Sequence, residues 1–211
     1  MGPSTLTRSR MANLWSSLPG TRDEMQTLRD LHDYILEWEA PMTVVEGKAA
    51  TEERIRSELP KHSYIHIATH GYFEPDHLPS LLLDAEEQQT QASLEQQVKA
   101  VGLLPGLLSG MVFAGVNGEA DASRDDGYLS AEEIQHLDLS GCGLVVLSAC
   151  ETALGSSRAG EGLMSLRRAF SVAGADTVIS SLWKVDDVAT AQLMKDFYTN
   201  LWEKNMSRGA A

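Results

Sequence analysis

The stretch Gly143-Leu144-Val145-Val146-Leu147-Ser148-Ala149-Cys150-Glu151-Thr152 constrains the fold of this chain more than any other. A short, unbroken apolar run rich in Val and Leu starts behind Gly141 and Gly143 and stops abruptly at polar residues. Such a run fits a strand buried on both faces, the situation of a strand inside a parallel sheet. Cys150 then falls at the carboxyl end of the strand. In open α/β sheets the crevice beyond those ends is where ligands bind. A cysteine standing alone there is more often an inert small hydrophobe than a nucleophile. The stretch Ser63-Tyr64-Ile65-His66-Ile67-Ala68-Thr69-His70-Gly71 changes that balance. It is also β-branched and apolar, and it ends in an imidazole and a glycine. Two strand ends, one carrying His70 and the other Cys150, predict a thiolate–imidazole dyad at one sheet edge.

The pattern along the rest of the chain supplies the layers around those strands. Thr21-Arg22-Asp23-Glu24 has capping-box spacing and opens a helix with Met25, Leu28, Leu31, Ile35 and Trp38 at helical period, closed by Pro41. Met42–Val45 reads as a short strand, and Thr51 caps a second helix that runs to Leu59 before Pro60. Leu81–Leu83 and Met111–Gly115 read as strands placed to pair as a hairpin, with residues 85–100 a Gln- and Glu-rich surface insertion. Ser130-Ala131-Glu132-Glu133 is a second capping box. Gly160-Glu161-Gly162 precedes a helix bearing Leu163, Leu166 and Phe170 on one face and ending at Gly174. A strand over Asp176–Trp183 follows. Asp186 or Asp187 then begins a helix carrying Ala189, Leu193, Phe197 and Leu201. Alternating helices and strands predict an α/β fold: a mainly parallel sheet flanked by helices, with a small hairpin and a surface insertion. Residues 1–17, rich in Ser, Thr and Arg, read as a flexible lead-in to a domain over 18–211.

Composition narrows the function classes. The 211 residues suit one compact domain, and 43% apolar with 22% charged residues is ordinary for a globular chain. A net charge of −13 argues against a nucleic-acid groove or a polybasic membrane surface. Cys142 and Cys150 flank one extended segment, which holds them roughly 25 Å apart and beyond disulfide reach. With no long apolar run or signal core, the chain reads as reduced and cytoplasmic. His62, His66 and His70 lie four apart on strand-forming sequence, about 13 Å between neighbours, so they share no metal ion. Gly155–Gly160 lacks the Lys-Ser/Thr of a phosphate loop, having Glu161-Gly162 instead, and there is no G-x-S-x-G elbow. No cofactor is expected.

Three blocks together resemble the CHAT domain family, a caspase- and separase-like group of cysteine peptidases commonly linked to TPR repeats. They are Ala68-Thr69-His70-Gly71, Asp126-Gly127-Tyr128-Leu129-Ser130-Ala131-Glu132-Glu133-Ile134 and Leu147-Ser148-Ala149-Cys150-Glu151-Thr152. Gly160-Glu161-Gly162, Leu166-Arg167-Arg168-Ala169-Phe170, Ala173-Gly174-Ala175 and Ser181-Leu182-Trp183-Lys184-Val185-Asp186-Asp187 continue the likeness. The resemblance implies a caspase-like fold in which Cys150 attacks a peptide carbonyl and His70 supplies acid–base catalysis. It implies an oxyanion hole from the backbone N–H groups of Gly71 and Cys150. It also implies substrate binding by Ser181, Leu182 and Trp183 through Asp186 and Asp187. Either aspartate can pair with a basic P1 side chain, or simply cap the following helix.

Expected partners are a protein or peptide substrate and a regulatory protein or TPR region outside this chain. A catalytically inactive CHAT-like interaction or regulatory module is the rival reading. The family usually continues past the last helix into a further helix and strand, so the sequence leads us to expect a domain truncated at its C-terminus.

Overall fold

The computed structural model describes residues 15, 17–36, 41–73, 106, 109–117, 126–148, 150–151, 159–180 and 187–211. Its contacts divide into two compact units, one of residues 1–16 and 47–183, the other of 17–46 and 184–211.

The first unit is built on the Val- and Leu-rich run. Strand β5 (Leu144–Leu147) is the middle of a parallel sheet, with β1 (Tyr64–Ile67) on one side and β7 (Val178–Ser180) on the other. All four β5 residues are at most 1% exposed, as expected of a strand covered on both faces. β1 and β5 both stop, then resume as β2 (His70–Phe73) and β6 (Cys150–Glu151). The register survives the break: the offset that pairs Tyr64 with Leu144 also pairs His70 with Cys150. Ser148 N–H donates to the Ile67 carbonyl at 2.9 Å inside the gap. Thr69 Oγ1 donates to the Val112 carbonyl.

Beyond the break the neighbours change. The second sheet has the order β4-β3-β2-β6, with β3 (Ser109–Val112) antiparallel to both β2 and β4 (Tyr128–Ser130). The antiparallel element expected from the sequence is therefore present with different partners. β3 has a described strand on each edge, and residues 81–83, read as its hairpin partner, lie outside the described residues. β3 also ends at Val112 rather than continuing to Gly115, which sits at φ +103° in the following turn.

One face of the sheets carries the core. Ile65, Ile67, Met111, Leu129, Val145 and Leu147 cluster with Ile134 of helix α3 (Ala131–Ile134) and with Leu166 and Phe170 of helix α4 (Ala159–Val172). The helix caps follow from local sequence. Arg54 N–H donates to Thr51 Oγ1 at 3.2 Å at the start of α2 (Glu52–Glu58). Ser130 and Glu133 satisfy each other's backbone N–H groups at the start of α3. Gly174 at φ +111° ends α4 in a Schellman pattern: Ala175 N–H donates to Phe170 O and Gly174 N–H to Ser171 O.

The second unit packs α1 (Pro19–Leu36) on α5 (Asp187–Tyr198). Helix α1 starts before the expected cap. Pro19 opens the first turn, where its missing N–H costs nothing, and Thr21 Oγ1 donates to the Leu18 carbonyl at 2.7 Å. Helix α5 runs into a π turn over Thr199–Glu203. The buried positions are Met194, Tyr198 and Leu201, whereas Leu193 is 59% exposed and Ala189 is also exposed. The expected stripe therefore holds at Leu201 but is shifted by one position, to Met194 and Tyr198, in the turns before it. Residues 41–46 are irregular rather than the strand read at Met42–Val45. Among the described residues no helix is long and apolar enough to cross a membrane.

Candidate active site

His70 and Cys150 meet through backbone pairing. They are register partners in the parallel β2–β6 pair, and Gly71 is the partner of Glu151. Adjacent strands run about 4.8 Å apart, so the two positions are immediate neighbours. The sequence placed both residues at strand ends. In the structure each one instead starts the resumed strand, where the parallel sheet gives way to the mixed one. The row continues in the other direction, with Val112 paired to His70 and Tyr128 paired to Val112.

His70 is 7% exposed and Gly71 is buried. The ring of Trp15 lies against the imidazole, with centroids 5.2 Å apart and planes inclined by 46°. Trp15 Nε1 donates to the Tyr128 hydroxyl at 3.1 Å, and Tyr128 stands edge-on to Tyr72 at 5.5 Å. Gly110 makes room for this aromatic group. A Cβ there would come within 2.5 Å of both the Tyr72 hydroxyl and the Leu129 carbonyl.

A buried acid supports the same strand from behind. Glu52 is 3% exposed, and its Oε2 accepts from Asp126 N–H at 3.1 Å, while Asp126 Oδ1 accepts from Tyr128 N–H at 2.8 Å. Arg56 donates to both Glu52 at 3.2 Å and Glu133 at 3.1 Å. Burial, then the negative charges of Glu133 and Asp126, push the Glu52 carboxyl up to about 7. The Arg56 and Asp126 hydrogen bonds pull the other way without reversing the shift.

The other residues singled out in the sequence stand apart from this row. Cys142 is buried, with its Sγ 3.4 Å from the Leu144 carbonyl, the environment of a packed, unreactive thiol. His62 Nε2 lies 3.6 Å from Glu58 Oε2, and His66 is half-buried on β1. Asp187 is the first residue of α5, in the second unit. Ser181, Leu182, Trp183 and Asp186 lie outside the described residues. Trp15, Tyr72 and Glu52 escaped sequence reasoning, and Tyr128 entered it only as part of a motif block. An acidic residue at a helix start looks like an ordinary complement to the helix dipole, and nothing local marks Trp15 as a neighbour of His70.

A model of the CHAT domain matches residues 2–211. The chain belongs to the CHAT domain family. The mainly parallel sheet, its flanking helices and its antiparallel strands are the caspase-like arrangement that the sequence motifs implied. This CHAT domain is 29% identical over 193 residues to tetratricopeptide repeat protein 28 of Mus musculus. It is 26% identical over 197 residues to the Homo sapiens protein of that name. Each match covers 89% of this chain and 7% of the relative, so the chain spans a small fraction of those proteins.

Proposed function

We propose that this CHAT domain is a cysteine endopeptidase in which Cys150 is the nucleophile and His70 the general acid–base. The observation that supports this reading is the pairing of His70 with Cys150 as register partners at the junction of the two sheets. The imidazole takes the thiol proton, and the thiolate adds to the scissile carbonyl. The resulting oxyanion is held by the backbone N–H groups of Gly71 and Cys150, a contribution of about 3 kcal/mol per donor in comparable sites. Collapse of the adduct breaks the C–N bond, and the imidazolium gives its proton to the leaving amine. Water, deprotonated by His70, then hydrolyses the thioester and restores the thiol.

Substrate recognition is assigned to Ser181, Leu182, Trp183 and Asp186, with Asp186 or Asp187 pairing a basic P1 side chain. Helix α5 begins at Asp187, which places that residue inside the first turn rather than at the cap before it, so either aspartate is kept as the proposed P1 partner. The matched relatives are named for tetratricopeptide repeats, and such a region is the proposed regulatory partner of this domain. A labelled peptidyl ketone ending in Arg or Lys should modify Cys150. Cys150→Ala or His70→Ala should abolish that labelling in chains that remain folded by circular dichroism. Equal labelling of the His70→Ala variant removes the dyad, and no labelling of the native chain favours the non-catalytic interaction module. The low exposure of His70 is the observation on that module's side.

A further inference from the structure

A general base works only while its ring nitrogen is aimed at the proton it takes, and rotation of an imidazole about its outer torsion is soft. Nucleophilic sites therefore orient the base through a third group. The mixed sheet supplies such a group. His70, Val112 and Tyr128 are register partners on β2, β3 and β4, so their side chains leave the same face. Two strand spacings, about 10 Å, separate β2 from β4. The Trp15 indole spans that distance. Its ring is 5.2 Å from the imidazole, and its Nε1–H donates to the Tyr128 hydroxyl at 3.1 Å. The indole and phenol rings meet edge-on, 6.5 Å apart at 68°.

Tyr128 is itself held from two sides. Tyr72, two residues beyond His70 on β2, stands edge-on to it at 88°. The Tyr128 N–H donates to Asp126 Oδ1 at 2.8 Å, and the Asp126 N–H donates to the buried Glu52 at 3.1 Å. The hydroxyl that receives the indole is thus set at a fixed point relative to β2. The main core lies on the opposite face, around Met111 and Leu129, and none of Trp15, Tyr72 or Tyr128 belongs to it.

We propose that Tyr128 is a positioning residue for the His70 imidazole, acting through the indole of Trp15. Its part in catalysis rests on the peptidase reading, whereas the orientation of His70 does not. An aromatic neighbour attracts the neutral imidazole and the imidazolium alike, so the contact serves both halves of an acid–base cycle. Neither Tyr128 nor Trp15 is a catalytic residue.

The first test reads His70 directly, by nuclear magnetic resonance of the full chain labelled at histidine. The His70 signals are assigned by their loss in His70→Ala, with the exposed His136 as reference. In the native chain the indole ring current should displace the His70 ring-proton resonances from those of His136. Tyr128→Phe removes only the hydroxyl and should move them back toward the reference. Asp126→Ala frees the Tyr128 backbone and should give a smaller movement in the same direction, which preserves the test if Tyr128→Phe fails to fold. Unchanged His70 resonances in the folded variants overturn the proposal, because a loss of stability alone leaves that signature in place.

The second test is a double-mutant cycle on peptidyl-ketone labelling of Cys150. Tyr128→Phe and Trp15→Phe each remove one partner of the same hydrogen bond, so each should slow labelling by about fivefold, and the double variant by no more than either. A loss of about 25-fold in the double variant shows two independent effects and overturns the proposal. If the native chain is not labelled while the His70 resonances move as expected, the positioning stands and the peptidase reading falls.

Discussion

The same pair of strands behaves differently on the two sides of one break. Before it, β1 and β5 lie in a wholly parallel sheet, and Val145, Val146 and Leu147 are shielded by neighbours on all sides. After it, β2 and β6 keep the register but carry His70, Gly71, Tyr72 and Cys150, with antiparallel β3 alongside β2. In the first half β5 is wholly aliphatic and β1 adds Tyr64 and His66 between its isoleucines, whereas the second half is aromatic and polar, although one backbone ladder runs through both. Dry β-branched packing fixes the register, and that register then carries a histidine and a cysteine to adjacent positions. A site built on strands in this way is held more firmly than one built on loops.

Three changes separate the two halves, in order of expected size. Leu147→Ala removes a side chain only 1% exposed from the parallel half and should cost about 2–5 kcal/mol in denaturant unfolding. The rate at which Cys150 is alkylated below the melting temperature should stay native. A parallel loss of alkylation would show that the aliphatic half shapes the site directly.

Glu52→Gln probes the acid behind β4. The Glu52 carboxyl is raised from its ordinary 4.5 to about 7 when folded, so the folded chain holds a proton that the unfolded chain has released. Its contribution to stability is complete below pH 4.5, shrinks as pH rises toward 7 and is lost above that. The difference amounts to about 3 kcal/mol across that window. Unfolding free energies measured from pH 4.5 to 8 should lose that slope in Glu52→Gln. A slope equal to that of the native chain would remove Glu52 as its source.

Gly110→Ala acts in the mixed half. The added methyl meets the Leu129 carbonyl and the Tyr72 hydroxyl, and overpacking of this kind costs about 1–3 kcal/mol. Displacement of Tyr72 should also weaken the near-UV circular dichroism of the aromatic group. An unchanged near-UV spectrum would show that Tyr72 does not need the space over β3.

The features legible from sequence were those with short-range causes. The apolar run of β5 announces burial, Thr51 and Ser130 carry their own hydrogen-bond partners within a turn, and Gly174 supplies a positive φ that other residues resist. The family was legible because its motifs are contiguous. Misreadings arose where a distant segment chose the outcome. The α5 stripe slipped because burial there is set by packing against α1, and Thr21 lost the cap to a helix begun at Pro19. By itself the sequence determined a buried parallel strand, its caps and a histidine and cysteine bound for the same sheet region. Only the tertiary structure decided that both residues begin resumed strands in one register, and that Trp15 lies over the imidazole. Pairing register and aromatic contact join residues far apart along the chain, and no local periodicity records which distant partner each will meet.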